Sequence, residues 1–131
     1  MAAIAHIRTT VLDCPDPRGL AAFYRNLVDG EIIADDGEWV VLSDQGRHRI
    51  AFQRTPDYLP PRWPDPAHPQ QLHLDFTVDD LDEAERLTLA IGATKTAHQP
   101  DDGKSFRVFL DPAGHPFCLC VGPPEGLRPL A

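Results

Sequence analysis

The chain has no long apolar run, few basic residues and only three cysteines. No stretch approaches the roughly 20 apolar residues that a membrane-crossing helix needs, so no transmembrane segment is expected. The segment from Met1 to Val11 carries a short apolar alternation without the basic start and apolar core of a secretory leader. Twelve Lys plus Arg stand against twenty Asp plus Glu, a formal charge of −8. That field repels phosphate backbones and anionic lipid surfaces, which argues against nucleic acid and membranes as partners. Cys14, Cys118 and Cys120 are an odd set, and the last two are too close along one extended segment to bridge each other. They read as reduced thiols in a cytoplasm. A phosphate-cradling glycine loop, a nucleophile elbow and a paired-cysteine zinc motif are also missing, since Cys118-Leu119-Cys120 has the wrong spacing.

What is present is the composition of an ordinary globular chain, 42% apolar and 24% charged over 131 residues, enough for one domain with a packed core. Ile4 to Cys14 alternates and is rich in Ile, Thr and Val, which predicts a strand ending at Pro15. Asp16 reads as an N-cap and Pro17 as the first helical residue, with Leu20, Phe23, Tyr24 and Leu27 at helical spacing before Gly30. Short strands are expected over Glu31 to Ala34, Trp39 to Leu42 and Arg49 to Gln53, separated by turn-forming segments. Six prolines between Pro56 and Pro69 forbid a helix or a central strand and make a stiff connector. The same order then returns. Leu72 to Val78 alternates as a strand, and Asp80 with Glu83 forms a capping box. Leu81, Ala84, Leu87 and Ile91 line one helical face before Gly92. Ala93 to Ala97, Phe106 to Leu110 and Phe117 to Val121 complete the strands, and the tail after Gly122 is Pro-rich and irregular.

The two halves can be laid over each other. Thr9 falls on His73 and Asp16 on Asp80 at an offset of 64 residues, and Phe23 then falls on Leu87. After the last hairpins Ile50 falls on Phe117 and Ala51 on Cys118, an offset of 67. An internal duplication is the simplest account.

Three segments carry a family resemblance. Leu12-Asp13-Cys14-Pro15-Asp16 leading into Ala22-Phe23-Tyr24-Arg25, His73-Leu74-Asp75-Phe76-Thr77-Val78, and Asp111-Pro112-Ala113-Gly114-His115-Pro116-Phe117 occur in order over nearly the whole chain. Together they resemble the glyoxalase and bleomycin-resistance group of the vicinal oxygen chelate superfamily. The resemblance implies an α+β fold, two tandem βαβββ modules forming a cupped mixed sheet with helices on the outer face. Module one would span about 4–55, the connector 56–70 and module two 71–122 of a single domain. Metal enzymes of the group carry ligands on the first and last strands of each module. Those positions here are Thr9, Ala51, His73 and Cys118, and only His73 is a usual ligand. A catalytic divalent metal normally needs about three protein ligands and an open position, so no metal cofactor is expected. The alternative is zinc on His73 and Cys118, with Gln53 adding an oxygen.

Strand alternation puts His73, Asp75 and Thr77 on one face and Leu72, Leu74, Phe76 and Val78 on the other. His73 therefore reads first as a pocket or core histidine with Asp75 as its partner, and Cys118 and Cys120 as inert buried thiols. The acids at 79, 80, 82 and 83 complement a helix N-terminus without chemistry. Trp63, with Tyr58, either stacks on a ligand or packs against the second module or a partner. The function expected is a glyoxalase-like domain binding a small organic molecule, with His73 as catalytic acid or base and Gln53, Trp63, Asp75 and Cys118 as ligand contacts. The reaction would be a lyase or isomerase step. The rival is a non-catalytic, drug-sequestering protein whose acidic surface suits a cationic ligand. A homodimer follows from the resemblance. A dioxygenase, which needs two histidines and a carboxylate, is disfavoured by Thr9, Ala51 and Cys118.

Overall fold

The computed structural model describes residues 2–122, so the Pro-rich tail lies outside the described residues. The described chain holds two four-stranded mixed sheets and two helices in a repeated βαβββ order, the α+β class expected. It divides into two compact units, one ending at Tyr58 and the other beginning at Leu59.

In the first unit β1 (Thr10–Cys14) pairs in parallel with β4 (His48–Arg54), and β3 (Trp39–Asp44) and β2 (Glu31–Asp35) continue the sheet antiparallel, in the order β1-β4-β3-β2. Helix α1 (Pro17–Val28) starts where the sequence says it should. The Asp16 carboxylate accepts from the Gly19 amide at 3.1 Å, and Pro17 occupies the first turn, where its missing N–H leaves no bond unmade. The apolar spacing of Leu20, Ala21, Phe23 and Tyr24 gives the helix one buried face. Leu12, Cys14, Val40, Leu42, Ile50 and Phe52 are buried on one face of the sheet and Val41 and Ala51 on the other, with Tyr24 stacked on Phe52 at 5.6 Å. Each such large side chain contributes about 1.5–3 kcal/mol on burial. After the helix Asp29 turns left-handed, and Gly30 follows because a Cβ there would lie 2.8 Å from both the Leu42 side chain and the Ser43 carbonyl.

The second unit repeats the plan: β5 (Leu74–Thr77) is parallel to β8 (Pro116–Cys120), with β7 (Phe106–Leu110) and β6 (Thr94–Lys95) antiparallel, in the order β5-β8-β7-β6. Its core is aromatic, Phe117 stacking on Phe109 and meeting the edge of Phe76, each at 5.8 Å. Helix α2 (Leu81–Ala90) is capped by the Asp80 carboxylate, which accepts from the Asp82 and Glu83 amides at 2.9 and 3.3 Å. The Glu83 carboxylate, however, is taken by Arg86, so the reciprocal half of the capping box is not the bond it makes. The helix packs on β8 and is tied to the sheet by ions: Glu85 meets Lys95 at 2.9 Å and Arg107 at 3.2 Å, and Arg107 also reaches Asp82 at 2.8 Å.

The strand registers bear out the duplication. Thr10 pairs with Ile50 and Leu74 with Phe117, so the offsets of 64 and 67 carry one register onto the other. Several expectations are corrected. The first strand begins at Thr10, not Ile4, and Ile4 and Ile7 are fully exposed; β4 starts at His48, so the register leaves nothing for residues before Arg8 to pair with. His73 precedes β5 instead of lying in it, because the register sets it beside Pro116, which has no N–H for the ladder. The strand foreseen over 93–97 shrinks to Thr94–Lys95. Gln99 takes its place, its side-chain amide donating to the Val108 carbonyl and accepting from the Val108 amide, both at 2.9 Å. Leu87 is 51% exposed although its counterpart Phe23 is buried, the inner face of α2 being Leu81 and Thr88.

Candidate functional site

In β5 the side chains alternate, and Phe76 joins the aromatic core with Phe117 while Asp75 and Thr77 are exposed. Cys118 lies next to Phe117 on β8 and so points the other way. Asp75 and Cys118 are direct partners in the parallel register, and His73 has the parity of Asp75. The result is one polar group on the sheet face opposite the aromatic core. One donor atom each from His73, Asp75 and Cys118 lies within 4.8 Å of the others. His73 Nε2 is 3.3 Å from Asp75 Oδ1, with the two side chains 43% and 61% exposed.

Cys118 has a different environment. It is 7% exposed, and burial pushes its thiol up to about 12; the negative charge of Asp75, then Cys120, and a hydrogen bond to Asp75 act in the same direction. The thiol is therefore protonated at neutral pH. As a free nucleophile it is inert, the reading the sequence favoured.

The equivalent place in the first unit is empty of chemistry. The same offsets turn the Asp75–Cys118 pair into Val11 and Ala51, themselves register partners, while Thr9 stands just ahead of β1. Threonine is a poor metal ligand and alanine is none, so the family's arrangement, with ligands from both modules, does not fit this chain.

The other residues singled out fall as follows. Gln53 is exposed on β4 in the first unit, on the same sheet face as Ala51, paired in register with Asp13 and Trp39. Trp39, half-buried beside it, was missed as a site candidate, although the parity of β3 would have placed it on that face. Trp63 belongs to the second unit and rests on the His98 ring, centroids 5.4 Å apart. His68 is exposed and pairs with Asp65 at 3.0 Å. The acidic run at 79–83 has structural duties: Asp80 caps α2, Asp82 meets Arg107 and Glu83 meets Arg86. The closing hairpin is held by Asp111, which is buried and accepts from the amides of Ala113 at 2.9 Å and His115 at 3.0 Å. Gly114 in that turn has φ +91, and a Cβ there would come 3.0 Å from Pro60 of the connector.

Fold order, duplicated registers and a polar face at the start of the second module define a vicinal oxygen chelate protein. The chain belongs to the glyoxalase-like domain family, whose profile matches residues 9–120. No curated protein matches it in sequence. Among solved structures it is similar to the fosfomycin resistance protein FosX of Listeria monocytogenes, at 20% identity and TM-score 0.70, covering 94% of this chain and 98% of that one. It is also similar to a lactoylglutathione lyase of Agrobacterium tumefaciens, at 24% identity and TM-score 0.61 over 90% and 94% of the chains. A third is a glyoxalase/bleomycin resistance protein/dioxygenase family enzyme of Burkholderia phytofirmans, at 18% identity and TM-score 0.65 over 86% and 95%. At these identities the likeness is one of fold. No described helix is long and apolar enough to cross a membrane.

Proposed function

We propose that this glyoxalase-like protein binds a small organic molecule on the polar face of its second sheet, with His73 as the group that exchanges a proton with the ligand. The observation that carries this reading is the His73–Asp75 contact at 3.3 Å on an exposed sheet face. An imidazole held by a carboxylate is the arrangement of an oriented general acid or base, and imidazole is the side chain suited to proton transfer near neutral pH. Asp75 then fixes the ring, and Cys118 closes the group as a protonated, uncharged donor. Trp63, in the same unit, is the further contact we assign to the ligand. The chemistry this set suits is proton abstraction beside a carbonyl, a lyase or isomerase step of glyoxalase type, in one cytoplasmic domain that pairs as a homodimer.

A second reading, sequestration of a drug-like molecule without turnover, is favoured by the charge of −8, which attracts a cationic ligand. Calorimetric titration with cationic drug-like compounds, beside turnover assays on aldehydes and thioesters, separates the two. Product formation favours the enzyme; saturable binding without product favours the sequestering protein. His73→Ala should weaken binding or turnover at least tenfold, and no change in either would refute the proposed site.

A further inference from the structure

We infer that the molecule taken by the polar face of the second sheet is an amphiphilic amine, with a cationic head at His73 and Asp75 and an apolar body lying across the sheet to Phe106. The inference rests on the proposed ligand face and names the class of molecule it accepts. It holds whether the ligand is turned over or only held.

Residues paired in register project on the same side of a sheet, so the face can be read row by row. One row runs from Asp75 through Cys118 to Val108, and the next from Thr77 through Cys120 to Phe106. Each begins on β5 with an exposed polar side chain, crosses a thiol on β8 and ends on β7 in a hydrocarbon side chain. Cys118 and Val108 are buried and form a floor, whereas Cys120 and Phe106 are half-buried and stay within reach of a ligand. Polarity therefore falls in one direction, over two strand spacings or about 10 Å. A molecule that matches this gradient is polar at one end and apolar at the other, such as an aromatic ring on a short chain. Removing its body and the Phe106 ring from water together drives the association.

The sign of the head group follows from where the cations lie. Strands β5 to β8 carry Lys95 and Arg107 and no other lysine or arginine. Lys95 is paired with Phe109 and Arg107 with Leu119, residues of the opposite parity, and both cations are bound to acids of α2. The ligand face keeps the exposed Asp75 carboxylate, with His73 Nε2 3.3 Å from its Oδ1. An anionic head, whether carboxylate or phosphonate, would meet a carboxylate there and none of the sheet's ammonium or guanidinium groups. An ammonium head meets Asp75 as an ion pair and has further N–H groups to donate to the imidazole.

The test titrates the full chain calorimetrically with three probes. They are 4-phenylbutylamine, 4-phenylbutyrate, which has the same body and the opposite charge, and butylamine, which lacks the ring. The expected result is saturable one-to-one binding of 4-phenylbutylamine, with the other two at least tenfold weaker. Asp75→Asn should weaken the amine at least tenfold, and Asp75→Lys should invert the preference toward 4-phenylbutyrate. Phe106→Ala should reduce the affinity for 4-phenylbutylamine to that for butylamine. Asp75 is exposed, so its two variants keep the test decisive if Phe106→Ala folds poorly. Absence of amine binding, or tighter binding of 4-phenylbutyrate, would overturn the inference. Tighter 4-phenylbutyrate binding that is lost in His73→Ala leaves the proposed face standing and removes only the ligand class. Amine binding indifferent to both His73→Ala and Asp75→Asn refutes the face itself, and the ligand class with it.

Discussion

Phe23 and Leu87 occupy equivalent positions in the duplicated helices, yet truncating them should have very different consequences. Phe23 is 3% exposed and meets the edge of Tyr24 with centroids 5.0 Å apart, so Phe23→Ala removes a packed ring and leaves a cavity, at about 3–5 kcal/mol. Leu87 is 51% exposed. Full burial of a leucine contributes about 1.5–3 kcal/mol, so half of that, about 0.8–1.5 kcal/mol, is the most Leu87→Ala can cost. Alanine's better helix propensity offsets part of this loss. Urea unfolding followed by circular dichroism at a single protein concentration should therefore separate the variants by roughly 2–4 kcal/mol, with unchanged m-values. Equal losses would show that Leu87 is buried in solution as deeply as Phe23, and would refute the placement of α2 on its Leu81 and Thr88 face.

Other perturbations have equally definite outcomes. The Lys95 ammonium, and after it Arg107, holds the Glu85 carboxyl below its ordinary value of 4.5. A depressed folded pKa contributes stability above the unfolded value that is lost as pH falls through the folded one. Glu85→Gln should therefore be less stable at neutral pH and lose less on acidification below about pH 4.5, as read from unfolding midpoints across pH. Gly114→Ala should destabilise the closing hairpin by about 1 kcal/mol or more, since φ is +91 there and Pro60 lies 3.0 Å from the added carbon; an unchanged melting temperature would contradict that turn. In chelator-treated protein Cys118 should resist iodoacetamide at neutral pH, its thiol being pushed up to about 12, and react only on unfolding. Peptide mass mapping would detect early labelling and refute the assignment.

The lesson in α2 is general for this chain. Hydrophobic spacing predicted a helix from Asp80 to Gly92 and a face through Leu81, Ala84, Leu87 and Ile91, and the helix is there. What spacing cannot supply is how far a helix is rolled on its sheet. Here Arg107 and Lys95 reach up from the sheet to Asp82 and Glu85 on α2, drawing their side of the helix toward the strands, and Leu87 is left half in water.

By itself the sequence determined the element order, the caps at Asp16 and Asp80, the turns and the internal duplication. These depend on contacts a few residues apart and on patterns with periods of 2 and 3.6. It also showed that Thr9 and Ala51 leave the family's metal positions short of ligands. Only the tertiary structure decided which side chains meet. Asp75 was legible as a partner for His73, two residues away. Its pairing with Cys118 depends on a parallel register between strands more than forty residues apart, which no local pattern encodes. The ends of β1 and β6 were likewise set from outside, by where β4 begins and by the Gln99 amide on Val108. A strand extends only as far as a partner offers hydrogen bonds, and that partner is chosen by the fold.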